Sequence, residues 1–299
     1  MSDAHLAASG LHRWGWTPSL RRASGVIFDP ASGALLVTPA LVVLTLMNLL
    51  PILWSLGMSF FRYRADRPYT PPRFVGLGNY VQLVTDPDIW ERFQNTGVLI
   101  ACSVLVQMVI SGLAAYAFAG YPMRGRNYYL FYILAVRMMP PLTVIIPLYL
   151  IYRLIGLGGT YTGIILIHTA FNLRFAIWML KSFLEELHRP IEEAAWLDGS
   201  STLRILRRIC IPQIRAGIAA TAVIAFVFTW NDFLFSLLIT GADTKTISVA
   251  MSRIIGADMN VDWGVFAAMG TVYLLPVVLV AFFLQNQLLR GTTFGTVPR

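Results

Sequence analysis

Lysine is nearly missing from this sequence: Lys181 and Lys245 are the only two in 299 residues. Neither stands in a Gly-x-x-x-x-Gly-Lys-Ser/Thr setting, since Leu180 and Thr244 precede them. A nucleotidase that cradles phosphate with that loop is therefore excluded. Charge of either sign is scarce as well, 13% of residues against about 25% in soluble globular chains. Cysteine is limited to Cys102, inside an apolar run, and Cys210, in a basic loop. Neither fits a disulfide framework or a metal cluster. His5, His12, His168 and His188 are scattered without ligand spacing, so no metal site is read. No Ser-His-Asp order and no Rossmann glycine pattern is present, and the chain reads as a non-enzyme.

What is present in quantity is apolar. Hydrophobic residues make up 57% of the chain and the mean hydropathy is +0.65. Long stretches with almost no charge point to an all-α polytopic membrane protein. At about 20 apolar residues per crossing, the sequence predicts about six spans: 34–61, 96–118, 128–151, 161–180, 214–239 and 266–284. Residues 1–33 form a polar N-terminal segment, 34–290 the transmembrane domain and 291–299 a tail. The first apolar stretch is too long for the core of a signal peptide.

The formal charge is +8, and its placement beside apolar spans suits anionic lipid headgroups rather than nucleic acid. Arg124, Arg126, Lys181, Arg189, Arg204, Arg207, Arg208, Arg215 and Arg290 fall on one side if Arg13, Arg21 and Arg22 are inside. Both termini are therefore expected in the cytoplasm. The first outer loop, with Arg62, Arg64, Arg67, Arg73 and Arg92, opposes that assignment but is longer and holds Asp66, Asp86, Asp88 and Glu91.

Several spans carry residues that lipid tolerates only around a polar interior. Pro140, Pro141 and Pro147 interrupt the third, each removing a helical hydrogen bond. Arg137, Arg174 and Asp232 also fall within spans, at a cost of about 2.5–3.5 kcal/mol each at mid-bilayer.

The loop 185–213 is the most informative stretch. Pro190, Glu192 and Glu193 suit the first turn of a short helix. Ala194 and Ala195 add helix propensity without bulk, and Asp198-Gly199 closes the helix in a turn. Arg204, Arg207 and Arg208 then form a basic stripe at i, i+3 and i+4, and Pro212 marks the bend into the fifth span. Two readings fit: a surface helix lying on lipid phosphates, or a docking helix whose small-residue face admits another protein.

Glu193-Ala194-Ala195, three residues, Gly199, nine residues, then Ile209-x-Ile211-Pro212 resembles the EAA loop of binding-protein-dependent ABC importer permeases, with Ile211 where that family usually has Leu. Met138-Met139-Pro140-Pro141 with Ile146-Pro147-Leu148-Tyr149, Thr169-Ala170-Phe171-Asn172-Leu173, Ala176-Ile177-Trp178-Met179-Leu180, Phe228-Thr229-Trp230-Asn231-Asp232-Phe233 and Arg290-Gly291 resemble the carbohydrate-uptake, maltose-type branch. That likeness runs from Thr96 onward. Phe74 to Tyr80, Asp86 to Trp90 and Asn95-Thr96 look more like the partner permease of the same systems.

The resemblance implies a cytoplasmic coupling helix, with Glu193, Ala194, Ala195, Asp198 and Gly199 docking in a groove of a separate ATPase. It implies alternating access in the bacterial inner membrane and a sugar-like cargo. The implied partners are a second permease subunit, an ATPase dimer holding ATP and magnesium, and a periplasmic substrate-binding protein. No cofactor is expected in this chain. Arg137, Asn172, Arg174, Asn231 and Asp232 are candidates for the substrate path. The plainer alternatives are that Arg174 snorkels to headgroups, Arg137 bonds carbonyls freed at the proline kink, Asn172 bonds between helices and Asp232 is a polar cap. An ion-coupled secondary transporter is the rival reading, but no inverted repeat or central acidic pair supports it.

Overall fold

The structure, a computed structural model, describes residues 30–64, 69–257 and 261–293. The expectations for Arg13, Arg21, Arg22, Asp66, Arg67 and the end of the tail lie outside the described residues, as do the side chains of Arg137 and Arg290. The chain divides into two units, 1–54 and 55–299. In the first, every side chain from Leu35 to Trp54 is exposed, the condition of a helix whose solvent is lipid. It supplies most of α1 (Leu35–Met58).

In the second unit, a short hairpin of β1 (Phe61–Arg62) and β2 (Arg73–Phe74) pairs Phe61 with Phe74 and Arg62 with Arg73. There follow α2 (Gly78–Thr85) and α3 (Pro87–Gly120), the latter 34 residues long, or about 51 Å. The predicted second span began at Thr96; the helix begins nine residues earlier because Asp86 accepts hydrogen bonds from the amides of Asp88 and Ile89 and Pro87 fits the first turn.

The third predicted span is not one continuous helix. It consists of α4 (Arg126–Met138) and α5 (Pro141–Leu154), bent by 93°. In a continuous helix the carbonyls of Val136 and Arg137 would accept from residues 140 and 141. Both are prolines and have no N–H, so the helix breaks there. Next come α6 (Tyr161–Glu185), started by Thr160 accepting from the Gly163 amide, α7 (Arg189–Leu197), and α8 (Thr202–Gln213), which contains a π-type turn at Leu206–Cys210. The chain then turns by 82° into α9 (Arg215–Trp230). The fifth predicted span also ends early: Asn231 and Asp232 interrupt it, and α10 (Leu234–Ile239) is separate. After α11 (Ile247–Ala257), α12 (Trp263–Thr293) closes the described chain.

Four helices are long and apolar enough to cross a membrane, and the two bent pairs raise the number to six, all within the described residues. The second unit packs α3 against α6, with α9 beside both and α12 against α9. Glycine decides one of these contacts. A Cβ on Gly217 would lie 2.4 Å from the Phe183 ring, so α9 approaches the end of α6 only as glycine.

Three buried clusters hold the layers together. Ala115, Leu180, Ile205 and Cys210 belong to one near the α7 end. Leu99, Ile164, Ile167 and Phe235 form a second, and Leu83, Ile247 and Met269 a third at the opposite end.

Candidate coupling helix and polar seam

α7 has nine residues and Pro190 in its first turn. At its C-terminal end Gly199 has φ +77°, a region that only glycine occupies cheaply. The amides of Asp198, Gly199 and Ser200 return to the carbonyls of Ala194, Trp196 and Ala195 at 3.0 Å each. The turn expected at Asp198-Gly199 is therefore a closed helix cap.

The two faces of α7 differ. Glu193, Ala194, Leu197, Asp198 and Gly199 are exposed, and Leu197 is 90% exposed. Ala195 is turned the other way: it packs on the cluster formed by Ala115, Leu180, Ile205 and Cys210, so of the five expected docking residues it contributes least surface.

The inward face is tied to the membrane helices by residues that sequence reasoning passed over. Arg189 donates to the Ala119 carbonyl at 3.0 Å, one of the last four carbonyls of α3, which have no partner within the helix. The Tyr116 hydroxyl donates to Glu192 at 3.2 Å. Tyr121 lies 6.2 Å from the Trp196 ring centroid and its hydroxyl is 3.1 Å from that of Thr202. Lys181 donates to Glu185 at 2.6 Å, and Arg126 pairs with the same carboxylate. The sequence signal nearest to these anchors was the Glu192-Glu193 pair in the first turn of α7, two carboxylates about 100° apart around the helix, of which Glu192 is the half-buried one.

Each substrate-path candidate whose side chain is described has a partner within the fold. Asn172 donates to the Thr229 hydroxyl at 3.1 Å, and its carbonyl accepts from Gln107 at 3.3 Å, joining α3, α6 and α9. Asn231 is exposed and bonds the Val227 carbonyl at 2.8 Å. Asp232 accepts from the amide and hydroxyl of Ser236, both at 3.1 Å, and so caps α10. Its carboxylate also lies 3.1 Å from Nε2 of His168, a residue 3% exposed. Arg174 donates to the Val136 carbonyl at 3.3 Å and sits 5.4 Å over the Phe171 ring. That carbonyl is one of the two freed by Pro140 and Pro141, so Arg174 supplies a donor at the proline break.

The N-terminal end of α3 is bonded to the segment before α11. Asn95 donates to the Asp243 carbonyl at 2.7 Å, Arg92 to the Ala242 carbonyl at 2.8 Å, and Thr96 accepts from the Ile247 amide at 2.9 Å. Asn79 bonds the carbonyls of Ser59 and Phe61 at 2.8 and 2.9 Å, holding the hairpin to α2.

With that geometry in place, likeness to known proteins narrows the reading. Residues 107–293 match the family described as binding-protein-dependent transport system inner membrane component. A probable ABC transporter permease protein, y4oR, from Sinorhizobium fredii is 33% identical over 85% of this chain and 92% of its own. The trehalose/maltose transport system permease protein MalG of Thermococcus litoralis is 26% identical, covering 86% of this chain and 94% of its own. Among solved structures, a bacterial ABC transporter involved in import of the acidic polysaccharide alginate is similar with a TM-score of 0.70, at 22% identity, over 88% of this chain and 97% of that one.

Proposed function

This chain belongs to the family of binding-protein-dependent transport system inner membrane components and is a permease subunit of an ABC importer; from that premise we propose that its cargo is a sugar or sugar derivative and that residues 193–199 receive the motion of a separate ATPase. Membership of that family leaves the ion-coupled alternative without support.

The observation that carries the coupling role is the two-faced character of α7. Its outer face presents Glu193, Ala194, Leu197 and Asp198, while its inner face is bonded to α3 through Arg189 and Tyr116. A push on the outer face passes to α3 and, through α8, to α9 by way of packed side chains. In this reading ATP and magnesium reside on a pair of ATPase subunits, a second permease subunit completes the pathway, and a periplasmic protein delivers cargo. The α7 end faces the cytoplasm, which puts both termini there. Relatives named for trehalose/maltose and alginate support a carbohydrate cargo, and the polar side chains of Asn172 and Asn231 suit hydroxyl groups.

Ala194→Trp tests the docking face. Ala194 is exposed, so the indole meets no packed neighbour and the chain folds. Recovery of the ATPase with the purified permease is expected to fall at least about tenfold, a loss of about 1.4 kcal/mol. Full recovery together with transport-stimulated ATP hydrolysis would refute the assignment.

A further inference from the structure

An apolar groove opens where α3, α6, α8 and α9 meet, and it encloses about 400 Å³, within the range of sites that hold small molecules. Met108, Gly112, Leu180, Leu206 and Ile218 contribute to its wall, and Arg207 is the single charged residue lining it. The groove is graded from apolar to charged. Its apolar wall comes from spanning helices, and Arg207 stands on α8, where the chain turns by 82° into α9. With α7 in the cytoplasm, as proposed above, that turn lies at the level of the lipid headgroups. Arg204, Arg208 and Arg215 are exposed beside it, and among the described residues none of them, nor Arg207, makes an ion pair.

From this juxtaposition we propose that the groove is a binding site for an anionic phospholipid, with one acyl chain along the apolar wall and the headgroup phosphate on Arg207. An apolar slot between helices takes a hydrocarbon chain without leaving a polar group unsatisfied. A guanidinium at its mouth binds a phosphate through paired, charge-assisted hydrogen bonds, and neighbouring arginines raise the local preference for a negative headgroup. A protein helix in the same place would bury Arg207 without an acidic partner on this chain, which is why lipid is the better occupant. The leaflet from which the lipid comes rests on the placement of α7 in the cytoplasm; the contacts do not. The wall also touches the machinery of the coupling end, since Leu180 and Leu206 belong to the cluster on which Ala195 packs. An occupied groove therefore stiffens the support of α7.

The groove has a feature that makes the test clean. A Cβ added at Gly112 meets nothing within 4 Å, so Gly112→Leu projects a side chain into open groove rather than into a neighbour. The assembled transporter, purified with its partner chains, is exposed to equal amounts of phosphatidylglycerol and phosphatidylethanolamine, and retained lipid is counted by native mass spectrometry. The unsubstituted protein is expected to retain phosphatidylglycerol about fivefold over phosphatidylethanolamine, the preference that one arginine at a membrane surface confers. Arg207→Gln is expected to reduce that preference, the remainder coming from the neighbouring arginines, and Gly112→Leu to lower retention of both lipids. Equal retention of the two lipids by the unsubstituted protein overturns the proposal, as does a preference left undiminished by both substitutions. If Gly112→Leu instead expels a partner chain and leaves lipid retention unchanged, the occupant is protein and the proposal fails. None of these readouts uses ATPase docking, so failure here and failure of the coupling role are told apart.

Discussion

Two arginines of the second unit meet orphaned carbonyls in very different surroundings. Arg189 donates to Ala119 at the end of α3, and Arg174 donates to Val136 at the break between α4 and α5. Around Arg189 lie Tyr116 and Leu184, both buried, with Glu192 held by a hydroxyl. Around the break, Met138, Met139 and Leu142 are exposed, and Pro140 and Pro141 leave the carbonyls of Val136 and Arg137 without helical donors. The same chemical device thus serves a packed strut in one place and a loosely supported joint in the other. Rigidity comes from the buried cluster beneath the hydrogen bond, since a single net hydrogen bond is worth only about 1 kcal/mol.

The largest expected effect breaks the packed end. Ile205 is 0% exposed within the cluster on which Ala195 rests. Ile205→Ala is expected to cost about 2–5 kcal/mol, seen as a lower melting temperature of the purified protein. At the joint, Leu142 is 69% exposed, and Leu142→Ala is expected to change stability by less than about 0.5 kcal/mol. Equal losses at the two sites would abolish the distinction between strut and joint.

A smaller pair of substitutions sharpens it. Arg189→Gln removes a charge-assisted bond from a packed setting and is expected to cost about 1–2 kcal/mol. It should also weaken the link between transport and ATP hydrolysis in reconstituted vesicles. Arg174→Gln leaves a shorter, uncharged donor for the Val136 carbonyl and is expected to cost about 1 kcal/mol or less, because the neighbouring side chains are already half-exposed. Its main effect should fall on transport rate. Should Arg174→Gln uncouple hydrolysis while Arg189→Gln does not, the roles assigned to the two arginines are reversed.

Much of this was legible in the chain before folding. Apolar runs locate the crossings because lipid demands length and continuity, and the EAA-like spacing locates α7 and its Gly199 turn. Two kinds of feature were not legible. One is how far a break bends: Pro140 and Pro141 announce lost hydrogen bonds, but neither the 93° angle nor the arrival of Arg174, distant in sequence, at the Val136 carbonyl is encoded locally. The other is side-chain direction within a polar set. Asn172 and Asp232 look alike as candidates for cargo contact, and the alternatives of an interhelical bond and a polar cap match the bonds they make, Asn172 tying α6 to α9 and Asp232 capping α10; the contact of Asp232 with His168 was not foreseen. Only the relative rotation of the helices decides this, and no local propensity encodes it. The fifth span was overrun for a related reason. Apolar residues resume after Asp232, and hydropathy alone does not register that a capped carboxylate starts a new helix there.

The smallest expected effect concerns Cys210, which lies on α8 before the turn into the membrane and is 0% exposed. Burial, and then the charge of the neighbouring Glu192 carboxylate, push its thiol from an ordinary value of 9.0 to about 12. The protonated form is the one the fold favours. Its contribution to stability is therefore complete below the unfolded-chain value and declines as pH rises from about 9 towards 12. Between pH 7 and 9 no change is expected, and the thiol should resist alkylation by a maleimide until the protein unfolds. Cys102, which is only partly buried, serves as the internal reference once it is replaced by Ser in a parallel sample. Rapid labelling of Cys210 in the folded protein at pH 7.5 would mean that the cluster beneath α7 opens readily. The strut would then be no stiffer than the joint between α4 and α5, and the contrast between the two arginines would reduce to their immediate hydrogen bonds.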